Sequence, residues 1–184
     1  MGRLLVTAIC SLDGYVADAD GSFEWAMPSA EVHSAVNALE SGIGVQLVGR
    51  RTYELMTYWE TASAEGDDPE SEFARVWRGL DKIVYSTTLD APAYPRTRIE
   101  RSFDAGAVRD LVASSPLDVE IGGPTLAAEA WRAGLVDEVR LFRLPVLIGA
   151  GLPALPHGVR TRLALAENRT FSDGTVLTRH TVVG

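Results

Sequence analysis

Hydrophobic runs and amphipathic stretches alternate along the first three-quarters of the chain. Arg3 to Cys10 (RLLVTAIC) is nearly all apolar and too short for an ordinary helix, so it predicts a buried strand. Ser11 to Trp25 carries Gly14, Gly21 and three aspartates, the composition of a long loop. A helix is expected from Pro28 or Ser29 to Ser41, with Val32, Ala35, Val36 and Leu39 on one face and Gly42 and Gly44 ending it. Val45 to Val48 then predicts a short strand, Arg50 to Tyr58 a helix, and Ala62 to Pro69 a polar connection. A further helix spans Glu70 to Gly79, with Phe73, Val76 and Trp77 on its apolar side. Strands follow at Lys82 to Ser86 and Arg98 to Glu100. Asp104 caps a helix to Ser114, Asp118 to Ile121 is a strand, and Pro124 to Ala133 is a helix closed by Gly134.

After Asp137 the period changes. Val139 to Ile148, Arg162 to Thr170 and Thr175 to Val183 all read as strands, the last two joined by a Ser172-Asp173-Gly174 turn. Alternation of strand and helix followed by an all-strand tail predicts one α/β domain over residues 1–184. Its sheet is expected to be mostly parallel, with antiparallel strands at the C-terminal end.

Composition narrows the function classes. The chain has 184 residues, 46% of them hydrophobic and 23% charged, as in an ordinary globular protein. Its formal charge is −8, and no segment gathers lysine and arginine, which argues against nucleic acid as a partner. Cys10 is the single cysteine, and His33, His157 and His180 are scattered, so no metal site is expected. The N-terminal residues lack the apolar core of a signal peptide and no run is long enough to span a bilayer, so a cytoplasmic protein is expected.

Candidate chemistry gathers where strands give way to helices. Val48-Gly49-Arg50-Arg51-Thr52-Tyr53 and Ile121-Gly122-Gly123-Pro124-Thr125 both sit at such junctions, where a glycine lets a ligand approach and the next helix offers free N–H groups. In an open α/β sheet the ligand crevice lies beyond the carboxyl ends of the strands. Ser11 to Gly14, Gly49 to Thr52, Ser86 to Thr88 and Gly122 to Thr125 all fall there. Arg50 and Arg51 supply forked donors for a phosphate, Ser86 and Thr87 supply hydroxyls, and the glycine pair clears room for a pyrophosphate. Neither the Rossmann fingerprint nor the P-loop pattern is present.

These residues resemble a known family. LVGRRTYE resembles the strand-to-helix segment of dihydrofolate reductases, EIGGPTL their Gly-Gly cofactor segment, and SLDGYVA with Trp25 their first strand and active-site loop. Gly134 to Glu138, with Pro145 to Gly149 and Gly151, is more similar to the reductase domain of the bifunctional riboflavin-biosynthesis protein of bacteria. The resemblance implies a dihydrofolate reductase-like three-layer fold, NADPH as hydride donor, and a homodimer. It implies that Gly49, Arg50, Arg51, Thr52, Ser86, Thr87, Gly122, Gly123, Pro124 and Thr125 hold the cofactor. Two departures stand out. The arginine that grips a ribose phosphate in the riboflavin branch has no matching position, leaving Arg75, Arg78 or a second subunit as substitutes. The dihydrofolate reductase carboxylate has only Glu31 as an approximate counterpart.

The leading reading is therefore an NADPH-dependent reductase of a small heterocyclic or ribosylated pyrimidine, similar to 5-amino-6-(5-phosphoribosylamino)uracil reductase. Reduction of dihydrofolate and non-catalytic NADP binding are the competing readings. Asp13 and Glu31 are the candidate catalytic carboxylates, and Ser11, Asp13 and Trp25 the candidate substrate contacts. Each also has a plain structural explanation. Asp13 and Gly14 can form a turn, Glu31 favours the first turn of a helix for dipole reasons, and Trp25 and Trp59 can serve packing alone.

Overall fold

A computed structural model describes residues 2–183. The chain runs through β1 (Leu4–Ser11), β2 (Tyr15–Asp18), a 3-10 turn (Glu24–Ala26), α1 (Ala30–Glu40), β3 (Ile43–Gly49), α2 (Arg50–Met56) and α3 (Tyr58–Thr61). It continues with α4 (Pro69–Gly79), β4 (Asp81–Tyr85), β5 (Thr97–Glu100), α5 (Ala105–Ser114), β6 (Asp118–Gly122) and α6 (Pro124–Arg132). The tail holds β7 (Glu138–Leu144), β8 (Gly151–Pro153), β9 (Arg162–Thr170) and β10 (Val176–Val183). Eight strands form one sheet in the order β5-β4-β3-β6-β1-β7-β10-β9. The pairs from β5 to β7 are parallel, and β10 and β9 add antiparallel pairs, as the change of period after Asp137 predicts.

Strands covered on both faces read as continuous apolar runs because successive side chains enter opposite cores. Leu4, Val6 and Cys10 of β1 join Leu47, Ile121 and Leu141 beneath Val108 of α5 and Trp131 of α6. On the other face Leu5 and Ile43 meet Phe73 and Trp77 of α4, while Phe142 and Leu177 meet Val32 of α1. The result is three layers, helices on both sides of a mixed sheet.

The sequence expectation departs from the structure in three places. The loop after β1 contains β2, which pairs antiparallel with β8 to make a separate two-stranded sheet. The helix expected from Arg50 to Tyr58 is two short helices breaking at Thr57. The strand expected to reach Ile148 ends at Leu144, followed by Pro145, which cannot donate to a ladder.

Helix capping divides the helices into two groups. Ser29, Asp68 and Asp104 cap α1, α4 and α5, their side chains accepting from backbone N–H groups of the first turns. Helices α2, α3 and α6 have no side-chain cap, and α2 and α6 start directly after Gly49 and Gly123. Their leading N–H groups are left for another acceptor.

The α1/α4 face also buries charge. Gln46 Nε2 donates to Glu40 Oε2 at 3.0 Å and to Glu120 Oε2. Burial, together with the neighbouring Glu120 charge, holds the Glu40 carboxyl well above the ordinary glutamate range. Below that range both folded and unfolded chains keep the proton. As pH rises the unfolded chain ionises first, so this contribution to stability fades until the folded carboxyl itself ionises. Glu40→Gln keeps an acceptor for Gln46 and places a donor where the retained proton would be. Its melting temperature, compared with that of the native chain, should gain ground as pH rises above the ordinary glutamate range. A difference independent of pH would show that Glu40 does not titrate on unfolding.

Candidate functional site

Because β3, β4 and β6 are parallel neighbours, their carboxyl ends deliver Gly49, Ser86 and Gly122 to one edge of the sheet. The two glycine turns touch there. A Cβ built on Gly123, whose φ is +85°, would stand 2.6 Å from Thr52 Oγ1. Arg50 Nη1 reaches across to Thr88 Oγ1 at 2.7 Å, while its Nε pairs with Glu54 at 2.7 Å. Ser86 is buried, and its hydroxyl oxygen accepts from the N–H groups of Thr88 and Leu89. Thr87 is exposed beside it, and Thr125 is exposed on the first turn of α6.

Arg101, one residue beyond β5, donates to the carbonyls of Ser86 at 2.9 Å and Leu89 at 2.7 Å, adding a cation to this edge. The sequence gives little sign of it, because β5 is only four residues long and Arg101 follows it outside any glycine turn.

Next to this edge lies a cavity of about 950 Å³. Val16 and Ala17 of β2, Phe23, Met27 and Leu152 form one side, and Leu55, Met56, Tyr58 and Trp59 the other. Arg51, Thr52 and Pro124 join it to the glycine turns, and Asp18, Asp20 and Glu70 are its carboxylates. A second cavity of about 210 Å³ shares Val16 and Pro124 and runs along Val6–Ile9 to Gly123. Trp59 stands edge-on to His33 and Phe73 at 5.8 and 4.8 Å between ring centroids. Burial draws the His33 imidazole down from its ordinary value despite Glu70, Glu72 and Asp68 nearby.

The first-loop residues sit differently from their expected roles. Ser11 is fully buried, and its hydroxyl donates to Asp13 Oδ1 at 2.6 Å while accepting from Tyr15 N. Asp13 also accepts from the N–H groups of Ile148 and Gly149, the latter at 2.7 Å. The Ser11 hydroxyl first, then the Gly149 amide, hold the Asp13 carboxyl below the usual aspartate value. A carboxylate so held has no proton to give at neutral pH. It pins the loop after β1 to the loop after β7, and neither Ser11 nor Asp13 lines the large cavity. Glu31 lies outside it too, accepting from Ser172 N at 3.0 Å, Ser172 Oγ at 2.7 Å and Arg169 at 3.2 Å. Trp25 is not on the cavity wall, although its neighbours Phe23 and Met27 are. Arg75 and Arg78 donate to backbone carbonyls between Trp59 and Gly66, so both serve to hold that segment.

Three arginines, a row of hydroxyls and two uncapped helix starts fit a phosphorylated dinucleotide, whose anionic oxygens would meet both unpaired N–H groups and guanidinium forks. Among the described residues no cluster of three or more His, Cys, Asp or Glu side chains could hold a metal, and no helix is long and apolar enough to cross a membrane.

The comparisons with known proteins show the same fold. The chain is similar to the uncharacterized protein YyaP of Bacillus subtilis (strain 168), with 26% identity over 95% of this chain and 92% of that one. A solved structure from Shewanella sp. PV-4, of a protein named for riboflavin biosynthesis, superposes with a TM-score of 0.77 at 21% identity over 99% of both chains. A diaminohydroxyphosphoribosylaminopyrimidine deaminase/5-amino-6-(5-phosphoribosylamino)uracil reductase from Thermotoga maritima superposes with a TM-score of 0.68 at 18% identity, covering 99% of this chain and 57% of that one. The sequence profile of the RibD C-terminal domain matches residues 3–177. Nearly the whole chain is covered by that match, and the protein belongs to the RibD C-terminal domain family.

Proposed function

We propose that the chain is an NADPH-dependent reductase of a small heterocyclic ring compound. The observation that carries this reading is the junction itself, two uncapped helix starts and three arginines beside a largely apolar cavity. Arg50, Arg51, Thr52 and Thr87 would hold the phosphates, with Arg101 fixing the Ser86 to Leu89 turn beside them, and Gly122 to Thr125 would receive the pyrophosphate. Bound NADPH would supply a hydride to the ring. The chain's own part is to bind, orient and exclude water, since positioning and electrostatics are what protein adds to cofactor chemistry. Val16, Trp59 and Leu152 offer faces for a planar ring, and Glu70 and Tyr58 offer polar atoms for its edge.

Preference for NADPH over NADH should follow from the Arg50 and Arg51 guanidiniums at the start of α2, Arg50 reaching Thr88 beyond β4. Loss of a charge-assisted phosphate contact costs about 1.5–3 kcal/mol, so Arg50→Ala should weaken NADPH binding by roughly ten- to a hundredfold. NADH binding should change far less. Equal affinity of the native chain for both cofactors would remove the assignment.

The family supplies two first substrates for assay, the phosphoribosylaminouracil of riboflavin synthesis and dihydrofolate. NADPH oxidation with either would establish the reaction class, and NADPH binding with no turnover would leave a nucleotide-binding protein. We also propose a homodimer formed through β9. Every residue of that strand is exposed, including Leu163 and Leu165, and its outer edge is unpaired among the described residues. Sedimentation at tens of micromolar should show a dimer, and a monomer there would exclude it.

A further inference from the structure

The reductase reading leaves the substrate class open, and resting on that reading, we infer that the ring compound taken by the large cavity carries no phosphate. In a partly hydrated cleft a phosphate is drawn in by cations and opposed by carboxylates. The cavity lining sets one guanidinium, Arg51, against the carboxylates of Asp18, Asp20 and Glu70. On the reductase reading Arg51 is committed to the cofactor, with its guanidinium against Gly21 of the cavity wall. It opens α2 beside Arg50, and its Nη2 lies 2.7 Å from where a Cβ on Gly21 would stand.

The nearest alternatives within the chain are already engaged. Arg75 Nη1 donates to the carbonyls of Ala64 at 2.6 Å and Gly66 at 2.9 Å. Arg78 donates to the carbonyls of Trp59 at 3.0 Å and Ala62. Moving either to a substrate would strip donors from the segment that carries Trp59 into the cavity wall.

A phosphate dianion in the cavity would meet a lining with three carboxylates, of which Asp18 already accepts from the Asp20 and Ser22 N–H groups, and would compete with the cofactor for Arg51. An uncharged planar ring meets Phe23, Met56 and Trp59 with no charge to desolvate, and amino groups on its edge find acceptors at Glu70 and Asp20. The same acidic rim accommodates a cationic ring.

Two matched pairs test the inference on the full chain: riboflavin against flavin mononucleotide, and 5-amino-6-ribosylaminouracil against its 5′-phosphate. Binding is read by calorimetry, with and without saturating NADPH. In each pair the unphosphorylated member should bind at least about tenfold more tightly, since one like charge across a partly hydrated cleft is enough for that ratio. Raising the salt concentration should shrink the difference, as should Glu70→Gln or Asp20→Asn. A phosphorylated member binding as tightly as its partner overturns the inference, and so does failure of every ring compound to bind. Absence of NADPH binding, with the ring preference intact, sinks the reductase reading alone.

Discussion

Gly123→Val should bind NADPH at least ~100-fold more weakly than the native chain while still unfolding in one cooperative transition. Two independent constraints act at this position. The backbone sits at φ +85°, where a β-branched residue costs about 1–3 kcal/mol. Any Cβ would also stand 2.6 Å from Thr52 Oγ1, and valine adds two methyl groups beyond that atom. Relief requires the start of α6 to move away from the start of α2, which separates the two uncapped helix ends. Adding Thr52→Ala should ease the contact but leave the dihedral strain, so binding should recover only in part. The hydrophobic clusters on the opposite face of the sheet, Leu5 with Phe73 and Trp77 and Phe142 with Leu177, lie away from this turn, which is why the fold should persist. Fluorescence titration with NADPH and a thermal melt separate the two effects. Unchanged affinity would mean that the glycine turn takes no part in cofactor binding.

The largest effect on stability is expected from Glu138→Leu. This carboxylate is 1% exposed and accepts from Arg140 Nε at 2.7 Å, Arg3 Nη1 at 3.0 Å and Arg179 Nε at 3.2 Å. Removing it leaves the buried guanidinium of Arg140 without its carboxylate partner. Breaking a buried pair from one side costs about 3–5 kcal/mol, or roughly 6–20 °C in melting temperature for a chain of this size. Burial pushes the Glu138 carboxyl up, but the donors from Arg179 and Arg140 outweigh it and the net shift is downward. Its contribution is therefore present above the ordinary glutamate value and lost as pH falls through the folded value, the opposite sense to Glu40. The gap between variant and native chain should close in acid. A gap that persists at low pH would assign the loss to packing instead of charge.

Much of the fold can be read in the sequence because most strands of the main sheet are buried on both faces. RLLVTAIC and DVEIG are strand-like in isolation, since each side chain enters one core or the other. Strands β2 and β8 give no such signal. Four and three residues long, they exist through pairing between segments more than 130 residues apart. The glycine and arginine junctions are legible for a related reason, as they are local motifs at the ends of recognisable strands. The cavity wall is not local. Phe23, Leu55, Trp59 and Leu152 carry no spacing that ties them together, and tertiary packing alone assembles them. Asp13 shows the same limit, because the amides that occupy its carboxylate belong to Ile148 and Gly149.

That pinning has a kinetic consequence. Asp13 and the β2–β8 ladder join the segment in front of the cavity to a stretch near the other end of the chain by both side-chain and backbone hydrogen bonds. The two segments must therefore open together, so amides on either side should exchange with solvent deuterium at a common rate. Ligand in the cavity should slow both sets equally. Substitutions near Gly149 should alter ligand entry and exit rates without touching the ligand, and stopped-flow traces would show this as a change in rate at fixed equilibrium affinity.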